Sequence, residues 1–246
     1  MFCGMERNTA MLQKLGIEIL TSLALEEDAT ERIGGTAGEA LAMLALESRS
    51  NCHRILKLKA TEKLVNALEV PLLRVNAARI LRNLCTYSGG DCFTQLRGVT
   101  TAAPTVLKTI MSEENKLQEV MVGLAAQVFK FMTSKESSII FETDGIQEAE
   151  LARALVQILK KHQYPSIKIP RIRRFVIELA IWMMRDKETN IQIFKTLGME
   201  DELEQVSETT SELESFDIFS GAVGMSRHST TIHSLVETAM KLLEDK

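Results

Sequence analysis

Apolar residues recur along this chain at the spacing of an α-helix. One stripe consists of Ala77, Ile80, Leu81 and Leu84, at positions i, i+3, i+4 and i+7, which share one face of a helix. The same spacing is found in four other stripes, which begin at Ala37, Ala125, Val176 and, more weakly, Val236. The sequence carries no alternating Val, Thr and Tyr runs of the kind that predict strands. We therefore predict an all-α protein.

A glycine follows three of these stripes at a nearly constant distance. Gly98, Gly145 and Gly198 each lie 13–15 residues beyond the end of a stripe, and Leu58 takes the corresponding place in the first copy. Glycine readily adopts the left-handed backbone that often ends a short helix. Each unit is thus predicted to contain a short helix, a medium helix and a striped helix. Since one unit cannot bury both faces of its striped helix, stacked units should share a core.

The residues of the best-formed unit resemble a known repeat family. The stretch ARILRNLCTYSGGDCFTQLRGV, residues 78–99, is similar to an armadillo (β-catenin-type) repeat, and residues 79–146 resemble those of plant armadillo-repeat proteins. The resemblance covers residues 35–200. It implies an armadillo-like α-α superhelix, or solenoid, of about four to five three-helix repeats, whose third helices line a concave face.

We predict one armadillo-like repeat domain over residues 1–246. The best repeats span 35–199, an irregular acidic and loop segment spans 200–231, and a capping helix spans 232–245. The segment 199–217 holds eight acidic residues and no basic one. The helix predicted around residues 11–25 begins without a strong cap, so we expect that the chain could be part of a longer protein.

The composition of the chain disfavours several classes of protein. The net charge of −4 disfavours a nucleic-acid-binding protein, which is usually basic. No apolar run reaches the ~18 residues that a membrane-spanning helix needs, and the first residues, MFCGMERNTAMLQ, lack the apolar centre of a signal peptide. The four cysteines, at positions 3, 52, 85 and 92, form neither a C-x-x-C motif nor a disulfide framework. These features predict a cytoplasmic protein, with the nucleus as a second location.

Candidate catalytic and metal-binding motifs are missing from the sequence. It contains no G-x-S-x-G and no H-E-x-x-H, and His228 and His233 are not at the i, i+4 spacing that shares a helix face. The glycine-rich turn at 26–38 could hold a phosphate, but it lacks the P-loop pattern, and an ordinary turn between helices is favoured. We predict no enzyme activity, no cofactor and no metal site.

The resemblance to armadillo repeats implies a binding groove. In family members that bind extended peptides, an Asn in the phrase L-x-N-L of the third helix holds the peptide backbone. Asn83 matches that position, whereas its equivalents are Met43, Phe131 and Trp182, and an importin-like receptor is therefore disfavoured. We predict a scaffold or adaptor whose groove binds a protein or peptide partner through Arg79, Asn83, Phe131 and Trp182. Alternatively, Phe131 and Trp182 fill the core.

A basic loop lies at residues 160–174. Between Arg153 and Arg174 the chain carries seven basic residues and no acidic one, and those within the loop are Lys160, Lys161, Lys168, Arg171, Arg173 and Arg174. Three interpretations remain open. The loop is a solvated connection, or it pairs internally with the acidic segment 199–217, or it attracts an acidic peptide, a phospho-partner or an anionic membrane surface. Peripheral association through this loop is the alternative to the groove.

Overall fold

The computed structural model describes residues 15–26, 28, 36–112, 115–210 and 230–244. These residues form helices and turns, with no strand among them, which confirms the all-α prediction. The chain divides into two compact units, a first unit of Met1–Ala102 and a second unit of Ala103–Lys246. The predictions for residues 1–14, 29–35 and 211–229, which include most of the glycine-rich turn and His228, lie outside the described residues.

The first unit consists of short and medium helices around one long helix. Its helices are α1 (residues 15–25), α2 (Thr36–Glu47), α3 (Arg49–Lys57), α4 (Ala60–Asn66), α5 (Pro71–Tyr87) and α6 (Phe93–Leu96). Three 3-10 turns, Ala67–Glu69, Gly90–Cys92 and Arg97–Ala102, connect them. The hydroxyl of Ser48 accepts a hydrogen bond from the backbone of Asn51 and caps α3. Pro71 is the first residue of α5, where its missing N–H costs nothing.

The described part of the second unit consists of helices of 9 to 15 residues. Its helices are α7 (Ala103–Ser112), α8 (Asn115–Val128), α9 (Ser134–Asp144), α10 (Glu148–Lys161), α11 (Ile172–Asp186), α12 (Glu188–Thr196), α13 (Met199–Thr209) and α14 (Ile232–Glu244), with a 3-10 turn at Phe129–Phe131. Capping boxes begin two of them. Thr133 and Glu136 exchange side-chain and backbone hydrogen bonds at the start of α9, and Gln147 and Glu150 do so at the start of α10.

The striped helices pack on one another within each unit. In the first unit α2 lies against α5, and in the second unit α11 lies between α8 and α14. The stripe of α5 is buried along its whole length, from Ala77 to Leu84. The stripe of α11, from Val176 to Met183, is fully buried as well. Each stripe therefore supplies the core of its unit, as the periodicity predicted.

Two of the three predicted glycine positions are confirmed. Gly145 and Gly198 have φ values of 65° and 77°, in the left-handed region that other residues seldom adopt. For Gly98 the prediction was wrong, because the 3-10 turn of Arg97–Ala102 runs through this residue and its φ is not positive. In the first copy the left-handed residue is Lys59, at φ 53°, one position beyond Leu58.

The segment that was predicted to be irregular from residue 200 begins with a helix. Helix α13 buries Met199, Leu203 and Val206, which are spaced i, i+4 and i+7. Its acidic residues fit this structure, since three of them occupy the first turn, where the helix dipole favours negative charge. The predicted capping helix is present as α14, and it packs against α11, α12 and α13.

Candidate partner-binding faces

Asn83 lies on the side of α5 that contacts α2. Its Nδ2 atom donates a hydrogen bond to the carbonyl oxygen of Ala42 at 2.9 Å, and its Oδ1 atom accepts one from Arg82 Nη1 at 3.2 Å. Asn83 is only 7% exposed. The resemblance implies that this amide holds a peptide, but here it ties two helices of the first unit together.

The same contact places the equivalent positions of two stripes side by side. Ala42 directly precedes Met43, the residue that corresponds to Asn83 in the sequence repeat. Met43 is 53% exposed, so this part of α2 presents an apolar side chain to solvent. Arg79, one turn before Asn83, is half-buried. We call Met43 and Arg79 the first face.

An aromatic stack connects the striped helices of the second unit. The rings of Phe129 and Trp182 are stacked, with centroids 4.5 Å apart and planes 24° apart. The ring of Phe129 also stacks with that of Phe141, and the two ring centroids are 5.8 Å apart. Phe129 is fully buried, whereas Trp182 and Phe131 are half-buried. The two aromatic residues therefore contribute to packing and also keep part of their surface exposed.

Charged side chains lie one and two turns before Trp182 on α11. Arg174 Nε and Glu178 Oε1 form an ion pair at 3.2 Å, with side chains that are 11% and 14% exposed. Such shielding from solvent strengthens the attraction between the two charges. We call Phe131, Arg174, Glu178 and Trp182 the second face.

Arg173 of the basic loop points into the second unit. It is 2% exposed, and its Nη1 atom donates to the Gln163 carbonyl at 3.2 Å and to the Thr209 hydroxyl at 2.8 Å. Its Nη2 atom donates to the Thr210 hydroxyl at 3.4 Å. Arg173 therefore fastens the loop to the end of α13, the helix that begins the acidic segment. The basic loop and the acidic segment therefore contact each other here. The Arg173 side chain bonds to two hydroxyl groups and a carbonyl group, and not to a carboxylate.

The neighbouring arginines are also engaged within the unit. The backbone N–H of Arg171 donates to Glu119 Oε1 at 2.7 Å, and the buried Glu119 carboxylate also pairs with Lys116. Arg174 Nη2 donates to the carbonyl of Thr230. The remaining members of the loop set, Lys160, Lys161 and Lys168, are exposed. The loop is thus held by the buried Arg173 and by the half-buried Arg171 and Arg174, and its three lysines are exposed.

One group of potential metal ligands occurs among the residues that the structure describes. The side chains of His53, Asp91 and Cys92 have ligand atoms within 4.8 Å of one another. Arg49, however, pairs with the Asp91 carboxylate, and this hydrogen bond lowers the pKa of Asp91. His53 Nε2 lies 2.9 Å from the Ser88 carbonyl oxygen. The Arg49 guanidinium is therefore the positive charge that pairs with Asp91. Arg49 also donates to the Ser88 carbonyl, so the cluster holds the turn that follows α5.

Sequence reasoning missed this cluster. The residue next to His53 is not part of it, since the Cys52 thiol is buried and donates to the Ala45 carbonyl at 3.0 Å. Cys52 and Cys92 are buried and Cys85 is half-buried, and none of the three forms a disulfide. No signal in the sequence links His53 to Asp91, because they lie on separate helical segments.

No protein-family model matches the chain, and no curated protein matches it. Several solved structures are similar to the chain. An engineered protein from a structural genomics consortium superposes with a TM-score of 0.60 and 15% identity, covering 93% of this chain; the chain spans only 47% of that protein's length. A designed armadillo repeat protein in complex with the peptide (KR)4 has a TM-score of 0.57 and 13% identity, covering 92% of this chain and 80% of its own.

A third similar structure is one of a set of computationally designed armadillo repeat proteins for modular peptide recognition. Its TM-score is 0.57 at 14% identity, and the match covers 92% of this chain and 82% of that one. The chain therefore has an armadillo-type solenoid fold, as the resemblance implied. The finer likeness to plant armadillo-repeat proteins stays a prediction. Within the described residues, no helix combines the length and the apolar character needed to cross a bilayer.

Proposed function

We propose that this chain is a non-catalytic protein-interaction scaffold that binds a segment of a partner protein on the exposed faces of its striped helices. The observation that carries the proposal is the arrangement around Trp182. Its ring is held by stacking on the buried Phe129, yet it is only half-buried and lies one turn from Glu178 of the ion pair with Arg174. Rigid aromatic side chains and arginines contribute much of the energy at protein interfaces.

The first face offers a different kind of contact. Met43 is an unbranched apolar side chain that adapts to varied partners, and Arg79 provides hydrogen-bond donors one turn from Asn83. In this proposal Asn83 has a positioning role, because its amide holds α5 against α2 next to Met43. The partner then contacts Met43 and Arg79 directly.

The fold comparisons support the general class of this function. Two of the similar proteins are a designed armadillo repeat protein solved with the peptide (KR)4 and one designed for modular peptide recognition. Since these proteins share 13–14% identity with the chain, they suggest a surface for binding and not its ligand. The absence of nucleophile and metal motifs from the sequence favours binding over catalysis.

The experiment is selection of binding peptides from a displayed random library, followed by affinity measurements with variants. We expect Trp182→Ala to weaken the selected peptides by about thirtyfold or more, the range of an interface hot spot. Ile139→Ala is the control, because Ile139 is an exposed apolar residue of the second unit that lies on α9. If every selected peptide binds wild type and Trp182→Ala equally, the second face is not the binding surface.

A further inference from the structure

The middle of the connection between α10 and α11, residues 164–168, is exposed to solvent, and we call it the tip. Tyr164 is 70% exposed and Ile167 is 99% exposed. Ile169, two positions beyond Ile167, is 4% exposed and belongs to the core. An isoleucine that is wholly exposed two positions before a buried one leaves apolar area in water, which is unfavourable unless something covers it.

The base of the tip is held on both sides. On the side of α10, the Gln163 carbonyl accepts hydrogen bonds from Thr209 Oγ1 at 2.7 Å and from the buried Arg173. On the side of α11, Ile169 is buried, and the Arg171 N–H is bound by Glu119. The tip is therefore presented outward from a fixed platform.

The charges around the tip are positive. Lys160, Lys161 and Lys168 are exposed near it, and the chain from residue 153 to residue 174 contains no acidic side chain. The exposed acids Glu204 and Glu208 belong to α13, whose Thr209 contacts the base. Their negative charge opposes the approach of that part of the unit to an anionic surface.

We propose that the 164–168 tip binds the surface of an anionic membrane, with Ile167 and the ring of Tyr164 entering the interfacial region and the lysines lying among the headgroups. Tyrosine is favoured at this depth because its ring is apolar and its hydroxyl is polar, and each lysine near an anionic bilayer adds electrostatic attraction. A narrow tip offers far less area than a stable protein–protein interface requires, whereas a bilayer admits single side chains. One such tip gives weak and reversible attachment.

The test is co-sedimentation of the full chain with vesicles of phosphatidylcholine alone, or with about one third phosphatidylserine, at low and high salt. We expect binding to the anionic vesicles only, and weaker binding at high salt because the charges are screened. Ile167→Asp should lower the partition coefficient about tenfold or more, from the loss of one buried apolar side chain and the added negative charge. Lys160→Glu with Lys168→Glu should abolish binding at low salt.

Controls on the same unit separate a specific tip from a general surface effect. Ile139→Asp and Lys135→Glu change an exposed isoleucine and an exposed lysine of α9, and both should bind the vesicles as wild type does. Failure of wild type to bind anionic vesicles, or equal binding by wild type and Ile167→Asp, overturns the proposal. Peptide binding that depends on Ile167 without any vesicle binding also overturns it, in favour of a protein partner. Because the vesicles contain no protein, this test is independent of the peptide selection.

Discussion

The ring of Phe175 on α11 packs directly against the backbone of Gly123 on α8. A Cβ atom built on Gly123 would lie 2.6 Å from Cδ2 of that ring, well inside van der Waals contact. The first unit has the same relationship between α2 and α5, where a Cβ on Gly38 would lie 2.7 Å from Asn76 Nδ2. Asn76 and Phe175 each precede the first residue of their stripe. In both units, therefore, the same position of the later striped helix presses on a glycine of the earlier one.

Gly123→Ala should destabilise the protein. The ring of Phe175 is buried, and such overpacking costs about 1–3 kcal/mol. The higher helix propensity of alanine, worth ~1 kcal/mol, offsets this only in part. Urea denaturation measures the free energy of unfolding. Gly16→Ala is the control, because nothing lies within 4 Å of its Cβ position, and it should be neutral or slightly stabilising. Equal stability of Gly123→Ala and wild type would contradict the close packing of α8 and α11.

Leu84→Ala tests whether the stripe of α5 forms the core. Leu84 is fully buried, so removing its side chain should lower the free energy of unfolding by about 2–5 kcal/mol. Leu72→Ala is the matched control on the same helix, since Leu72 is 52% exposed and should cost far less. Thermal melts and urea curves that are the same for both variants would show that the stripe is misplaced.

Asn83→Ala should also lower stability, although no large side chain is lost. The substitution removes the hydrogen bond to the Ala42 carbonyl and leaves that buried region one donor short, at a cost of about 1–3 kcal/mol. Asn66→Ala is the control, because Asn66 is exposed and its side chain makes no capping hydrogen bond. A stable Asn83→Ala variant with weakened peptide binding would instead favour the role in holding a peptide that the family resemblance implies.

Much of the fold was predictable because helical packing depends on a periodic pattern. The stripe that ends at Leu84 is buried, and the left-handed glycines at 145 and 198 are in place. Gly98 does not adopt the predicted left-handed backbone, because the residues around it form a 3-10 turn. The local sequence does not specify that turn. Helix α13 was missed because its run of acidic residues predicted an irregular segment, whereas three of those residues occupy the first turn of a helix.

The candidate faces were less predictable, since they depend on contacts between distant residues. The repeat placed Asn83 at a family binding position, but only the structure shows that its amide reaches Ala42. The run of basic residues was visible in the sequence, whereas the burial of Arg173 was not, because it requires Thr209 and Thr210 from another helix. Periodicity identifies which side of a helix is apolar; it does not identify which polar group meets which.

Arg173→Lys tests whether this residue anchors the basic loop. A lysine keeps the charge, but its single ammonium group cannot reproduce the fork that reaches Gln163, Thr209 and Thr210. We expect a loss of about 1–3 kcal/mol for the acceptor left unpaired, and faster cleavage by trypsin after the exposed Lys168. Arg153→Lys is the control, since Arg153 is exposed on α10 and should change neither measurement. Cleavage at the wild-type rate in Arg173→Lys would show that other contacts hold the loop.

The thiol of Cys92 should ionise only at high pH in the folded protein. Burial raises the pKa of Cys92 above its ordinary value of 9.0, and the negative charge of Asp91 raises it further. Since the thiolate is the reactive form, the rate of alkylation by iodoacetamide should rise at a higher pH in the folded chain than in guanidinium, as measured by mass spectrometry of the peptide that contains Cys92.

The same shift predicts how stability depends on pH. Because the pKa is higher in the folded state, this contribution to stability is complete below the pKa of the unfolded thiol and is lost as the pH rises through the folded value. Cys92→Ala should therefore lose less stability than wild type when the pH is raised above about 9. Identical alkylation profiles in folded and denatured protein would mean that Cys92 is open to solvent, and that the cluster with Arg49 and Asp91 does not close over it.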